Sequence, residues 1–155
     1  MKQKISLDKD FLDFIELCNK NEVRYMVIGG YAVGFHGYPR MTKDLDICIE
    51  ASEENAEKLV VVIDEFGFKS LGFIKDDFVK ENFISQIGYD PNRIDIINGM
   101  DEIDFDEAWK QKDEIIIQNV PINFVSLEHL IRLKKIAGRP QDIADLHKLL
   151  KRKKK

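Results

Sequence analysis

Two aspartates separated by one leucine, Asp44 and Asp46, open an apolar run that continues through Ile47 and Ile49. Alternate side chains of a β-strand share a face, so in such a run the two carboxylates stand roughly 6 to 7 Å apart on one side while Leu45, Ile47 and Ile49 take the other. A third acid, Asp95, alternates in the same way with Ile94 and Ile96, with Arg93 on its own side. Burying an unpaired carboxylate is costly, which makes a lone aspartate among isoleucines the mark of a face turned to a cleft. Carboxylate oxygens suit hard divalent cations. Two such ions about 3.5 to 4 Å apart can neutralise phosphate oxygens and hold an attacking hydroxyl in line, which is what phosphoryl and nucleotidyl transfer require. Upstream, Gly29-Gly30 closes another apolar run, and backbone amides at the start of a helix can cradle phosphate. Each feature also has a bland reading, a turn-capping acid or a tight strand-to-helix junction. Their combination points to a metal and nucleotide site. The glycine pair is neither a P-loop nor a dinucleotide fingerprint.

The elements that must position these residues are legible in the periodicity. Leu7, Phe11, Phe14, Ile15 and Cys18 recur at helical spacing after Ser6, a good N-cap. Residues 23–28 form a strand that Gly29-Gly30 ends, with Tyr31, Ala32 and Val33 starting a short helix. A second strand spans 45–49. After Ser52, a stripe of Ala56, Leu59, Val60, Ile63 and Phe66 predicts a helix that Gly67 stops. Residues 83–89 and 93–97 read as a hairpin around Asp90-Pro91-Asn92, with proline at the first inner position of the turn. A short helix over 105–110 follows, then strands over 114–120 and 122–125 broken near Pro121. Ser126 caps a helix carrying Leu127, Leu130, Ile131 and Lys134 that Gly138 closes. Pro140 opens a final helix with Ile143, Leu146 and Leu150 inward. The fold class expected is α+β, a small mixed sheet flanked by helices with a helical C-terminus.

At 155 residues with 44% hydrophobic residues, the chain suits one domain over 1–155. A net charge of -4 argues against a protein that coats nucleic acid, although Lys148 and residues 151–155 form a basic run. Cys18 and Cys48 are too few and too far apart for a disulfide framework or a zinc site. His36, His129 and His147 have no partners at metal-ligand spacing. No apolar run reaches the roughly 18 residues of a membrane span, and the polar start has no signal-peptide core behind it. The expectation is a cytoplasmic protein with reduced thiols.

Gly29-Gly30, a gap of 13 residues, Asp44-Leu45-Asp46-Ile47 and then Arg93-Ile94-Asp95-Ile96 resemble the signature of the DNA polymerase beta nucleotidyltransferase superfamily. The approach Arg40-Met41-Thr42-Lys43-Asp44-Leu45-Asp46 is similar to the Arg-x-Thr-x-Asp-x-Asp of small single-domain prokaryotic members, including those like the AbiEii toxins. So are the stretches 126–134 and 138–146. The resemblance covers the whole chain. It implies the nucleotidyltransferase fold, two Mg2+ ions (or Mn2+) held by Asp44, Asp46 and Asp95, and a nucleoside triphosphate whose phosphates lie over Gly29 and Gly30. It further implies transfer of a nucleoside monophosphate to a hydroxyl on RNA or protein, in a toxin-antitoxin or phage-defence setting with a cognate partner protein. For Arg40, Thr42 and Lys43, contact with phosphate and simple solvation both stand open, as do contact with the triphosphate and an exposed helix position for Lys134. Asp142 and Asp145, near the start of the last helix, read as structural acids that can pair with Arg139. The alternative in a different class is a partner-binding module that keeps this fold without chemistry. The oligomeric state is left open.

Overall fold

In a computed structural model that describes residues 7–40 and 42–153, helices α1 (Lys9–Lys20), α2 (Gly29–Phe35), α3 (Glu53–Ile63), α4 (Phe105–Gln111), α5 (Leu127–Ala137) and α6 (Pro140–Lys153) accompany a six-stranded sheet. Its strands are β1 (Tyr25–Ile28), β2 (Leu45–Ile49), β3 (Ile84–Ile87), β4 (Ile94–Asn98), β5 (Asp113–Ile117) and β6 (Val120–Phe124), in the order β3-β4-β2-β1-β6-β5. The sheet is mixed: β2 runs parallel to β4 and β1 parallel to β6, while the remaining neighbours are antiparallel.

Alternation sets the two faces. Leu45, Ile47 and Ile49 of β2 and Ile94 and Ile96 of β4 are buried, joined there by Phe11, Phe14 and Ile15 of α1 and by Ala56, Leu59 and Val62 of α3. Removing a leucine or phenylalanine from water contributes about 1.5–3 kcal/mol, so this layer fixes the register of β2 against β4. That register places Asp46 opposite Asp95.

Several expected boundaries shift. The Ser6 cap lies outside the described residues; Asp8 caps α1, its side chain accepting from the Asp10 amide. Ser52 does cap α3, accepting from Asn55. The regular part of α3 ends at Ile63 and continues as one wide turn, Asp64–Phe68, that contains Gly67 at φ 102. In the β3–β4 turn, the Asn92 amide donates to Tyr89 O, so Pro91 occupies the second inner position, after a cis bond from Asp90, not the first. The break between the next strands falls at Gln118 and Asn119, both at positive φ (51 and 69), where a two-residue hairpin turn has the twist the strands need. Pro121 lies inside β6, opposite Ile116 of the edge strand. On α6, Leu146 and Leu150 pack inward as expected, but Ile143 is 57% exposed; Asp142, Asp145 and Leu149 are the buried positions. The Gly138 stop of α5 is seen at φ 64. Among the described residues no helix is long and apolar enough to cross a membrane.

Candidate active site

The site begins where β1 turns into α2. Ile28 pairs with Asp46 across antiparallel strands, and Gly29 follows at φ 71, a conformation that favours glycine. A Cβ there would overlap Asp46 Oδ2, and one on Gly30 would stand 2.8 Å from both Cβ and Oγ1 of Thr42. The pair therefore has a packing reason of its own: it lets the acid strand and the loop before it close onto the turn.

Asp46 and Asp95 are partners on parallel strands, so their side chains leave the same face of the sheet. Asp44 lies one residue before β2, and Leu45 N donates to Arg93 O. Arg93 joins the acids. Its Nη2 donates to Asp44 Oδ2 at 2.7 Å and to Asp95 Oδ2 at 3.1 Å, and its Nε donates to Asp95 Oδ1 at 2.8 Å. Asp44 Oδ1 is buried and has no hydrogen-bond partner. Burial pushes the Asp46 carboxyl from 3.8 up to about 7, with the charges of Asp95 and Asp44 adding to the rise and Lys134 and Arg139 opposing it. Burial and the neighbouring Asp90 carboxyl likewise raise Asp44 against the pull of Arg93. Asp46, buried beside two acids and bonded to no cation of its own, is the carboxylate of the group that lacks positive charge.

Across the cleft stands an ion network between α5 and α6. Lys134 Nζ is 3.1 Å from both Asp142 Oδ1 and Asp145 Oδ2, with all three side chains nearly sealed from solvent. Arg139 Nε donates to Asp142 at 2.8 Å, and Arg40 takes both Asp145 oxygens at 3.0 Å through Nε and Nη2. Burial alone would raise the Asp142 and Asp145 carboxyls, but these hydrogen bonds hold both below the usual value.

Of the residues expected at the site, Gly29, Asp46, Asp95 and Lys134 line one cleft of about 360 Å3, together with Arg139, Asp142 and an apolar floor and wall that include Cys48, Ile97, Leu133 and Ala137. Asp44 is tied to them through Arg93, and Gly30 sits behind, against Thr42. Arg40 turns away to Asp145, and Thr42 Oγ1 donates to Asp44 O at 3.3 Å. Lys43 is exposed. Lys134 is no exposed helix lysine, being 7% exposed between its two aspartates. Three participants are only partly legible in the sequence, although the pairing of Arg139 with Asp142 that it suggested is present. Arg93 is visible there only as a neighbour of Asp95, and Asp142 with Arg139 only as helix-start residues; the turn at Gly138 that folds α6 back on α5 is the signal that places them opposite Lys134. Tyr31 and Phe35 serve packing, edge-on to Phe11 at 5.8 Å and stacked on Phe124 at 4.5 Å. His36 Nε2 lies 2.8 Å from Val125 O and His129 Nδ1 2.9 Å from Ser126 Oγ. A larger hollow of about 720 Å3, bounded by Arg24, Glu50, Glu54 and Trp109, lies at the far end of the strands and contains none of the three acids.

The residues fit divalent cations in donor type, in their shortage of positive charge and in the unpartnered Asp44 Oδ1. Among the described residues, however, no group of three or more Asp, Glu, His or Cys side chains forms a ready metal cage. The guanidinium of Arg93 stands between Asp44 and Asp95 instead.

The sequence matches no family model and no curated relative. Solved structures give three likenesses. One is TM1012 from Thermotoga maritima, classed by inference as a nucleotidyltransferase, at TM-score 0.60 and 18% identity over 91% of this chain and 90% of that one. Another is an antigenic nucleotidyltransferase-like protein from Paracoccidioides brasiliensis, at 0.54 and 16% over 92% and 77%. The third, ANT(2")-Ia in complex with adenylyl-2"-tobramycin, stands at 0.58 and 17% over 90% and 84%. At such identities the likeness is one of architecture. The mixed sheet that carries Asp46 and Asp95 side by side, walled by two C-terminal helices, is the nucleotidyltransferase fold.

Proposed function

We propose that the chain is a metal-dependent nucleotidyltransferase. The observation that carries this reading is the pairing of Asp46 with Asp95 on one sheet face, beside Asp44 and the Gly29 turn, in a cleft whose opposite wall carries the ion-paired Lys134 and Arg139. Asp44 and Asp46 would hold two Mg2+ ions (Mn2+ can substitute) and Asp95 one of them. Bound there, the ions supply charge neutralisation on the phosphate oxygens. The triphosphate would lie over the Gly29 turn, with Gly30 packed behind it, Arg139 facing its charge from the α5–α6 wall and Lys134 held behind by its two aspartates. Asp95 accepts the proton of the acceptor hydroxyl as general base. The new bond forms between that oxygen and the α-phosphorus, the α–β bridging bond breaks, and pyrophosphate leaves with the bond's electron pair.

The acceptor in this reading is a hydroxyl on RNA or on protein. The basic end of α6 (Lys151, Arg152, Lys153) leans towards RNA. A membership among toxin-like enzymes with a cognate partner protein extends the same reading, as does a cytoplasmic setting. Incubation with Mg2+, labelled nucleotides and separate RNA, protein and small-molecule pools is expected to give a labelled adduct that Asp46→Ala abolishes. No adduct in any pool, together with no nucleotide binding, refutes it. A second reading, a partner-binding module that keeps the fold without chemistry, is favoured by one observation: Arg93 stands between two of the acids. Failure of Mg2+ to bind, together with a co-purifying protein that covers the cleft, would decide for it.

A further inference from the structure

We infer that Arg93 is the site's own counter-cation, holding Asp44 and Asp95 when no divalent metal is bound and giving way when one binds. The inference rests on the metal reading of these acids. The guanidinium engages both oxygens of Asp95 and one of Asp44 at 2.7 to 3.1 Å. Such forked, charge-assisted bonds are the strong ones. Arg93 lies on the same side of its chain as Asp95, two residues earlier, so its head group projects over the face on which Asp46 and Asp95 stand. A divalent ion shared by Asp44 and Asp95 would meet a fixed positive charge there, and like charges at that distance repel strongly. The other cations of the cleft, Lys134 and Arg139, are already paired with Asp142 and Asp145, so neither replaces Arg93 at Asp44.

A place for the displaced head group is built in. Arg93, just before β4, has a side chain 27% exposed, and its Nη1 is 3.7 Å from Oδ1 of Asp90, whose side chain is 55% exposed on the β3–β4 turn. Rotation of the side chain towards Asp90, which neighbours Asp44, exchanges two carboxylate partners for one, keeps the guanidinium paired and releases its bonds to Asp44 Oδ2 and Asp95. Arg93 is thus a positioning residue. It keeps the acids gathered in the metal-free protein and sets the metal concentration at which the site becomes occupied.

The test is Mn2+ binding to the full-length protein without nucleotide, followed by the loss of the free-ion resonance signal, for wild type, Arg93→Gln, Arg93→Lys and Asp95→Asn. Removing competing bonds of this kind is expected to tighten Mn2+ binding in Arg93→Gln by about tenfold to a hundredfold. Arg93→Lys, which keeps the charge but cannot fork two carboxylates, falls between the two. In EDTA, Arg93→Gln melts below wild type, and Mn2+ raises its melting temperature more than it raises that of wild type. If wild type binds Mn2+ and both Arg93 variants bind it equally or more weakly, Arg93 supports the ligands and the inference is overturned while the metal reading stands. If neither wild type nor the Arg93 variants bind Mn2+, or if Asp95→Asn binds as wild type does, the metal reading fails and the inference falls with it.

Discussion

Replacing Asp46 by asparagine should make the metal-free protein more stable at high pH and leave it almost unchanged at low pH. The Asp46 carboxyl titrates at about 7 in the folded chain, against 3.8 ordinarily, because it is buried and faces Asp95 and Asp44. The folded state therefore binds this proton more tightly than the unfolded state does. Between about pH 4 and pH 7 folding takes up a proton, and stability falls as pH rises. At 1.36 kcal/mol per pH unit, the full displacement opposes folding by about 4 kcal/mol at most, present in full only above pH 7. The amide of the Asp46→Asn variant is neutral throughout and escapes this penalty. Urea unfolding in EDTA at about pH 4, 6 and 8 measures the difference between variant and wild type, and the change in that difference with pH is the quantity of interest, since any packing defect of the amide is common to all three. The expected change is about 2 to 4 kcal/mol in favour of Asp46→Asn between pH 4 and 8. Mn2+ added at pH 8 should close the gap by stabilising wild type alone. Parallel pH profiles, or a gap that widens in the opposite direction, would refute the reasoning that Asp46 is buried beside the charges of Asp95 and Asp44.

Other perturbations probe the supports of the site. Lys134→Met leaves Asp142 and Asp145 buried with one cation fewer and should cost about 3–5 kcal/mol in urea unfolding; a loss under about 1 kcal/mol would mean that Arg40 and Arg139 suffice. Asp142 and Asp145 have carboxyls held below 3.8, so their contribution is intact above that pH and is lost as pH falls through the lowered values. Asp145→Asn should accordingly flatten the acid-unfolding curve below about pH 4, followed by circular dichroism, and an unchanged slope would contradict the pairing. Gly30→Ala brings a methyl group to 2.8 Å from Thr42 and should destabilise by about 1–3 kcal/mol, with most of the penalty removed in a Thr42→Gly background. Additive effects of the two changes would show that they do not touch.

Local alternation and capping made much of this fold readable from the residues alone. β2 emerges at Leu45–Ile49 because Leu45, Ile47 and Ile49 share one face, with Asp46 and Cys48 on the other, and α5 begins after Ser126 and stops at Gly138 because a hydroxyl cap and a left-handed residue leave little choice. The pairing of Asp46 with Asp95 is also latent in sequence, since two strands that bury isoleucines on one face must turn their aspartates to the other. What stayed hidden depends on contacts far apart in the chain. Pro121 reads as a strand break, yet β6 accommodates it opposite Ile116, and the turn is made by Gln118 and Asn119 at positive φ, a conformation that suits the asparagine but that the glutamine gives no sign of. Ile143 looked inward by helical spacing, but α6 is rotated so that Asp142 and Asp145 meet Lys134, 8 and 11 positions earlier, and ion pairing overrides the apolar stripe. Arg93 was legible as a neighbour of Asp95; that it also reaches Asp44, 49 residues away, required the register of β2 on β4.

Anomalous scattering from crystals grown with Mn2+ and a non-hydrolysable nucleoside triphosphate tests most directly whether these aspartates are a metal centre for nucleotide. Density for Mn2+ in contact with Asp44, Asp46 and Asp95, with the triphosphate against Gly29 and Gly30 and Arg93 turned towards Asp90, is the expected result. Bound triphosphate elsewhere on the protein, or Arg93 still bridging Asp44 and Asp95 with no anomalous peak beside them at saturating Mn2+, would contradict the account.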